Sequence, residues 1–287
     1  MRAVSVDHYE NFPVASVLCP PRLRPAVAAI YWFARRADDL ADEGDASAPQ
    51  RLADLAQYRR ELDDCLAGAP ATGRWPQVFG PLADAIRVSS LPAPLLHDLL
   101  SAFEQDVVKH DYADRAELLD YCRRSANPIG RLLLHLHGIG DDTSLVRSDA
   151  ICTALQLANF WQDLTIDTAR GRLYVPLADR ARHGVGASAL LDRRDSAETR
   201  ALVADLVDWA RSLMLAGAPL VHALPGRAGW ELRLVVQGGL RILEKIERMG
   251  FASLCSRPAL GWLDAPLLGW RALCMRPVPT PMASKAT

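Results

Sequence analysis

The 287-residue chain has no CxxC pair among its six cysteines, no clustered run of basic residues, and no uncharged apolar stretch near the roughly 20 residues needed to cross a bilayer. Each absence excludes something. Scattered thiols (Cys19, Cys65, Cys122, Cys152, Cys255, Cys274), with no basic-then-apolar leader at the N-terminus, fit a reduced, cytoplasmic protein better than a disulfide scaffold. A formal net charge of −1 gives no electrostatic reason to expect a nucleic acid partner. The apolar run around Leu132 and Leu136 is broken by Arg131, His135 and His137, so the body of the chain is not expected to span a membrane. There is no internal repeat, no GxGxxG fingerprint for a nicotinamide, and no glutamate followed three residues later by the histidine that a carboxylate-bridged di-iron bundle needs.

Alternating β-branched runs are also nearly absent, whereas apolar residues recur at helical spacing through most of the sequence. The expected fold is therefore all-α. Helices are expected over residues 25–42, 48–67, 77–88, 94–109, 115–137, 148–169, 196–223 and 230–249, separated by glycine- and proline-bearing breakers. Beyond residue 256 the character changes. Pro258, Pro266, Pro277, Pro279 and Pro281 are interspersed with Trp262, Leu263, Leu267, Leu268 and Trp270. This divides the chain into an all-α domain over 1–256 and a proline-rich tail over 257–287 that is not expected to continue the bundle.

Two acidic helix faces carry the chemistry. In the stretch Arg35-Arg36-Ala37-Asp38-Asp39-Leu40-Ala41-Asp42, a helix places Asp38 and Asp42 within about 40° of each other, with Arg35 beside them. Like charges so close repel unless a cation lies between them, and carboxylates with room for water suit Mg²⁺, which bridges to phosphates. Further along, Gln156, Asn159, Asp163 and Asp167 fall on one narrow helix stripe, with Leu157, Phe160, Trp161 and Leu164 on the other sides. A helix polar on one stripe and apolar elsewhere is expected to be buried with the stripe facing a cavity. Two such faces across a bundle could hold Mg²⁺ ions that neutralise a diphosphate and make it a good leaving group. Apolar walls would then shelter a carbocation from water.

These residues resemble the squalene/phytoene synthase family. The family's early aspartates after an aromatic and arginine stretch are matched by the segment from Tyr31 to Asp42. Its later helix of the form Q-L-x-N-x-x-R-D-x-x-x-D is matched from Gln156 to Asp167, except that Gln162 stands where most members have arginine. Tyr121-Cys122 leading to Ala126 and Gly130, the loop from Arg170 to Pro176, and the segment from Ile242 to Ile246 also match. The resemblance implies a single-domain class I isoprenoid synthase bundle with a central cavity and a Mg²⁺ cluster ligated by Asp38, Asp42, Asp163 and Asp167. It implies that Arg35, Asn159, Gln162, Arg172 and Tyr174 hold or cover the diphosphate, and that Tyr121 belongs to the catalytic group. Asp106 matches a further acidic position.

Within the family, the segments 8–16, 124–130 and 159–163 are similar to bacterial hydroxysqualene synthases, taken to convert presqualene diphosphate and water to hydroxysqualene on a route to hopanoids, without NADPH. Head-to-head joining of two farnesyl diphosphates stands as the alternative, because both reactions share the ionisation step. A non-catalytic assembly factor of the same fold is a third reading, to which the retained aspartates run counter. Gln162 and Gly239, where many members have tyrosine, could leave room for water, or Gly239 could allow close helix packing. The tail could rest on the inner membrane as an interfacial anchor, or its tryptophans could pack back on the bundle.

Overall fold

The computed structural model describes residues 19–276. The similarity at residues 8–16 and the prolines at 277, 279 and 281 lie outside them. Five helices, α1 (Arg24–Asp42), α2 (Ala48–Leu66), α3 (Pro76–Ser89), α4 (Ala93–Val108) and α6 (Asn127–Leu136), carry proline in the first turn, where the missing N–H has no partner to lose. Three others begin on side-chain caps. The Asp114 carboxylate accepts from Glu117 N at the start of α5 (Arg115–Ser125), Asp141 from Ser144 N at α7 (Asp142–Gln162), and Ser196 from Thr199 N at α11 (Ala197–Gly217). The set is completed by α8 (Leu164–Ala169), α9 (Leu177–Arg182), α10 (Ala187–Leu191), α12 (Gly226–Arg248) and α13 (Ala265–Cys274), with 3-10 turns at Ala218–His222 and Trp262–Asp264. Among the described residues there is no strand, and no helix is long and apolar enough to cross a membrane. The protein is an all-α, single-domain fold.

Four expectations are corrected. The helix expected over 115–137 is two, broken at Ala126, because Pro128 begins α6 afresh. The helix expected over 148–169 starts earlier, at Asp142, and is interrupted at Asp163. The stretch left between the helices expected to end at 169 and begin at 196, whose residues 171–186 are expected to break helical structure, contains α9. The proline-rich tail, not expected to continue the bundle, contributes a helix to it within the described residues. Pro266 occupies the first turn of α13, and that helix packs on α12.

Helices α1 to α4 and α6 surround one apolar layer, in which Phe33 stacks on Tyr58, Trp75 meets Tyr58 edge-on, Phe79 lies tilted against it, and the Tyr58 hydroxyl donates to Phe33 O at 3.0 Å. Helix α7 runs through the centre, with Leu157 and Trp161 buried against Leu206, Val207 and Ala210 of α11. Closest approach comes at Gly217, where a Cβ would lie 2.6 Å from Arg147 O and 3.0 Å from Ile151 N, both backbone atoms of α7. Backbone cannot yield as a side-chain tip can. Gly217→Ala is therefore expected to lower unfolding free energy by about 1–3 kcal/mol, measurable by chemical denaturation.

Candidate functional site

The acidic face of α1 is set by its apolar one: Ile30, Phe33, Ala37 and Ala41 are buried in the core, which turns Asp38 and Asp42 away from it. Asp42 receives a two-pronged contact from Arg172, Nη1 to Oδ2 at 2.7 Å and Nη2 to Oδ1 at 2.5 Å. This joins positions 130 residues apart. The loop bearing Arg172 is fastened by Leu173 N donating to His110 O and Leu177 N to Tyr112 O, both at 2.8 Å. Arg35 stays on its own helix, with Asp38 at 3.3 Å, Asp39 at 2.8 Å and Glu43 at 2.7 Å.

On α7, Asn159 Nδ2 donates to Asp163 Oδ2 at 3.1 Å, and Arg257 Nε donates to Asp163 Oδ1 at 2.5 Å. Asp167 follows on α8. Gln162 turns away to donate to Pro258 O at 2.8 Å, so it braces the chain beyond α12 rather than joining the other polar groups. Arg257 and Pro258 thus pass across the end of α7. Arg257 was visible in the sequence only as a charge near the tail, and nothing local marks it as a partner of Asp163.

Asp106 on α4 is buried and accepts from the Tyr121 hydroxyl at 2.9 Å, while its Oδ1 has no partner among the described residues. Behind it lies an aromatic wall. Phe160 stacks on Tyr174 with centroids 3.8 Å apart, and Tyr112 and Tyr121 flank them. Burial and the nearby Asp106 charge push the Tyr121 and Tyr174 hydroxyls well above the usual phenol range.

The two acidic faces share one electrostatic site. Burial first, then the Asp42 charge, lifts Asp38 to about 6 although 42% of its side chain meets solvent, as befits the wall of a recess. Burial lifts Asp106 to about 7, against the Tyr121 hydrogen bond and with the charges of Asp42 and Asp38 adding to the rise. Asp167 also rises to about 7, through burial, Asp163 and, more weakly, Asp42. Among the described residues no three carboxylates, histidines or cysteines form a ready metal-ligand group. Guanidinium groups hold Asp42 and Asp163 instead. The donors nonetheless fit a hard divalent cation: they are all carboxylates, they repel one another, and one buried oxygen lacks a partner.

A largely apolar cavity lies along α1, α6, α7 and α12, lined by Val27, Ile129, Leu133, Ile151, Leu155, Leu232 and Val235, with Glu231 and His137 also on its wall. Part of it is open to solvent. Leu155 stands two helical turns before Asp163 on α7, so one helix carries both the apolar and the acidic lining. Gly239 sits behind Leu155. A Cβ there would lie 2.6 Å from Met214 Cε and 2.9 Å from Leu155 Cδ2, which favours the close-packing account of this glycine over extra room for water.

Comparison with known families matches residues 6–264 to squalene/phytoene synthase. The chain belongs to that family. It is an enzyme of isoprenoid synthesis. A hydroxysqualene synthase from Zymomonas mobilis is 39% identical over 170 residues, which span 58% of this chain and 54% of that protein. Another, from Sinorhizobium fredii, is 32% identical across 86% of this chain and 82% of its own length. The crystal structure of a squalene synthase from Alicyclobacillus acidocaldarius superposes with a TM-score of 0.78 at 40% identity, covering 85% of this chain and 90% of that one.

Proposed function

We propose that this family member converts presqualene diphosphate and water to hydroxysqualene and diphosphate. The observation that carries the reading is the electrostatic union of the α1 and α7–α8 carboxylates on helices that, about two to three turns away, also line an apolar cavity. The hydroxysqualene synthases among the relatives direct it to this reaction rather than to another on the same fold. Asp38, Asp42, Asp163 and Asp167 would hold Mg²⁺. When bound, the metal would supply the positive charge that lets diphosphate depart.

The chain's own residues do the rest. Arg172 and Asn159 supply N–H donors to the diphosphate oxygens, with Arg35 at the outer edge and the Tyr174 hydroxyl covering them. The wall built from Tyr121, Phe160 and Tyr174 keeps the surroundings of the departing group at low dielectric, which strengthens each of those contacts. The Tyr121–Asp106 hydrogen bond fixes that wall in place. The apolar lining around Leu155 holds the hydrocarbon and restricts water until the cation has rearranged. Water then forms the new C–O bond and loses a proton.

No reductant enters this balance. Incubation with presqualene diphosphate and Mg²⁺, without NADPH, is expected to release hydroxysqualene bearing ¹⁸O from labelled water. A hydrocarbon formed only with NADPH, or turnover of farnesyl diphosphate alone, would replace this reading by reductive or head-to-head synthesis.

A further inference from the structure

Trp75 and Trp161 are covered inside the bundle, at 2% and 0% exposure, and Trp32 on α1 is 45% exposed. The C-terminal hairpin exposes its apolar side chains further. Trp262 is 82% exposed, Leu263 71%, Trp270 65% and Leu273 61%. These residues are not scattered. Pro266, Trp270 and Leu273 fall within about 60° of one another on α13, and Trp262 and Leu263 lie in the 3-10 turn that leads into it.

The opposite side of α13 is already used. Ala272 is buried, and its carbonyl accepts from Arg233 Nη1 at 3.3 Å. Arg271 Nη1 meets Glu244 Oε1 at 2.5 Å. At the hairpin's other end the buried Asp264 binds Arg241 Nε at 2.8 Å and Lys245 Nζ at 2.5 Å, and also accepts from Gly261 N. The result is a short helix, fixed antiparallel to α12 by these polar contacts, whose outer face is apolar. An exposed apolar patch on a fixed face is normally covered by protein or lipid. On α12 itself, Trp230 and Leu234, one turn apart and both more than a third exposed, extend the surface, and Leu260 packs over Gly238 beside them.

The charge around this surface identifies what covers it. From Gly226 to Arg276, leaving out Arg257, which is held at Asp163, the chain carries seven basic residues (Arg227, Arg233, Arg241, Lys245, Arg248, Arg271, Arg276) against four acidic ones (Glu231, Glu244, Glu247, Asp264), an excess of three in a chain whose net charge is −1. Arg227 and Arg276 are exposed at the end of the hairpin that carries Trp230, Trp270 and Leu273. Tryptophan and leucine on a fixed face, ringed by arginine, form the pattern of a segment lying in the headgroup region of an anionic bilayer.

We infer that the α12–α13 hairpin docks the enzyme on an anionic lipid surface, lying in the interface without crossing it. The neighbouring face of α12 supports this assignment: Leu232 and Val235 line the apolar cavity on one side of the helix, and Trp230 and Leu234 face outward about a quarter-turn or more away. A single helix therefore separates the hydrocarbon site from the docking face. A water-insoluble substrate and product would have a short path to and from the bilayer.

The test uses the full chain and no substrate, so its outcome is independent of which reaction the site performs. Co-sedimentation is measured with vesicles of phosphatidylglycerol and phosphatidylcholine, and with vesicles of phosphatidylcholine alone. The parent protein is expected to pellet with the anionic vesicles, less so at high salt. Trp262→Ser/Trp270→Ser/Leu273→Ser is expected to lose roughly tenfold or more of that binding, because the buried apolar area is removed. Its unfolding temperature should match the parent's, since the substituted side chains face solvent. Arg227→Glu is expected to weaken binding to anionic vesicles only. Parent protein that stays in solution with both vesicle types overturns the inference, as does a triple variant that binds as the parent does. So does a parent dimer, seen by sedimentation velocity, that the triple variant abolishes without any vesicle binding, because the face would then belong to a second copy.

Discussion

Asp163→Asn is expected to lower turnover on the order of 10³-fold while leaving the fold in place. The substitution keeps the side chain's volume and one carbonyl oxygen. The hydrogen bond from Arg257 Nε, made to Oδ1 in the parent, therefore still has an acceptor. What disappears is one negative charge at the point where the interrupted α7–α8 segment meets the site, and with it a proposed ligand for the divalent cation. Asp38→Asn, from the facing helix, is expected to act in the same direction. The measurement is diphosphate release at saturating Mg²⁺, with circular dichroism and an unfolding curve taken on the same preparations. Near-parental turnover by folded Asp163→Asn would remove the metal-assisted mechanism.

The second large effect is on stability, and its sign is unusual for carboxylates. Asp38, Asp106 and Asp167 have pKa values raised to about 6, about 7 and about 7 from the ordinary 3.8. Between those limits the folded state binds more protons than the unfolded one, so stability falls as pH rises from about 4 to 7. Asp264, Glu244 and Asp120 have lowered pKa values and work the other way, but only in more acid solution, where unfolded carboxylates titrate. His137, lowered by burial, opposes the trend near pH 6.

Metal-free protein is therefore expected to unfold at a lower temperature at pH 7.5 than at pH 5.5. Mg²⁺ should raise the unfolding temperature more at pH 7.5, where the carboxylates must otherwise carry their repulsion uncompensated. Asp106 is the most deeply buried of the three, and its share is on the order of a few kcal/mol, since each pKa unit corresponds to about 1.4 kcal/mol. Asp106→Asn should flatten the pH dependence without metal. A profile that rises steadily to pH 7.5 in both proteins would show that these carboxylates ionise freely.

The acidic faces were legible because a helix converts a spacing of four into adjacency, and the structure brings Asp38 and Asp42 into one electrostatic site with Asp163 and Asp167. The break at Asp163 was not legible, since the segment from Leu157 to Ala169 contains neither glycine nor proline and its apolar pattern runs through. The break at Ala126 had a signal in Pro128, which was outweighed by continuous periodicity on both sides. Helices α9 and α10, of six and five residues, are too short to display a period. Helix α13 was masked by composition: its proline sits in the first turn, where it favours a helix. The pairings Arg172–Asp42 and Arg257–Asp163 span 130 and 94 residues, and no local rule reaches so far.

Asp42, Asp106 and Asp163 also share a position that their side-chain chemistry does not require. Asp42 ends α1, Asp106 lies in the last turn of α4, and Asp163 caps α7, with no basic residue in the last turn of any of the three. Helix C-termini carry about half a negative charge each from aligned peptide dipoles, and usually attract lysine or arginine. Here three such ends meet under a set of carboxylates. Main-chain carbonyls thus contribute to the negative potential, and no substitution of an aspartate removes that contribution. A single Asp→Asn variant should accordingly retain a measurable pull on divalent cations even as it loses catalytic power, so that metal affinity and turnover decline by different factors.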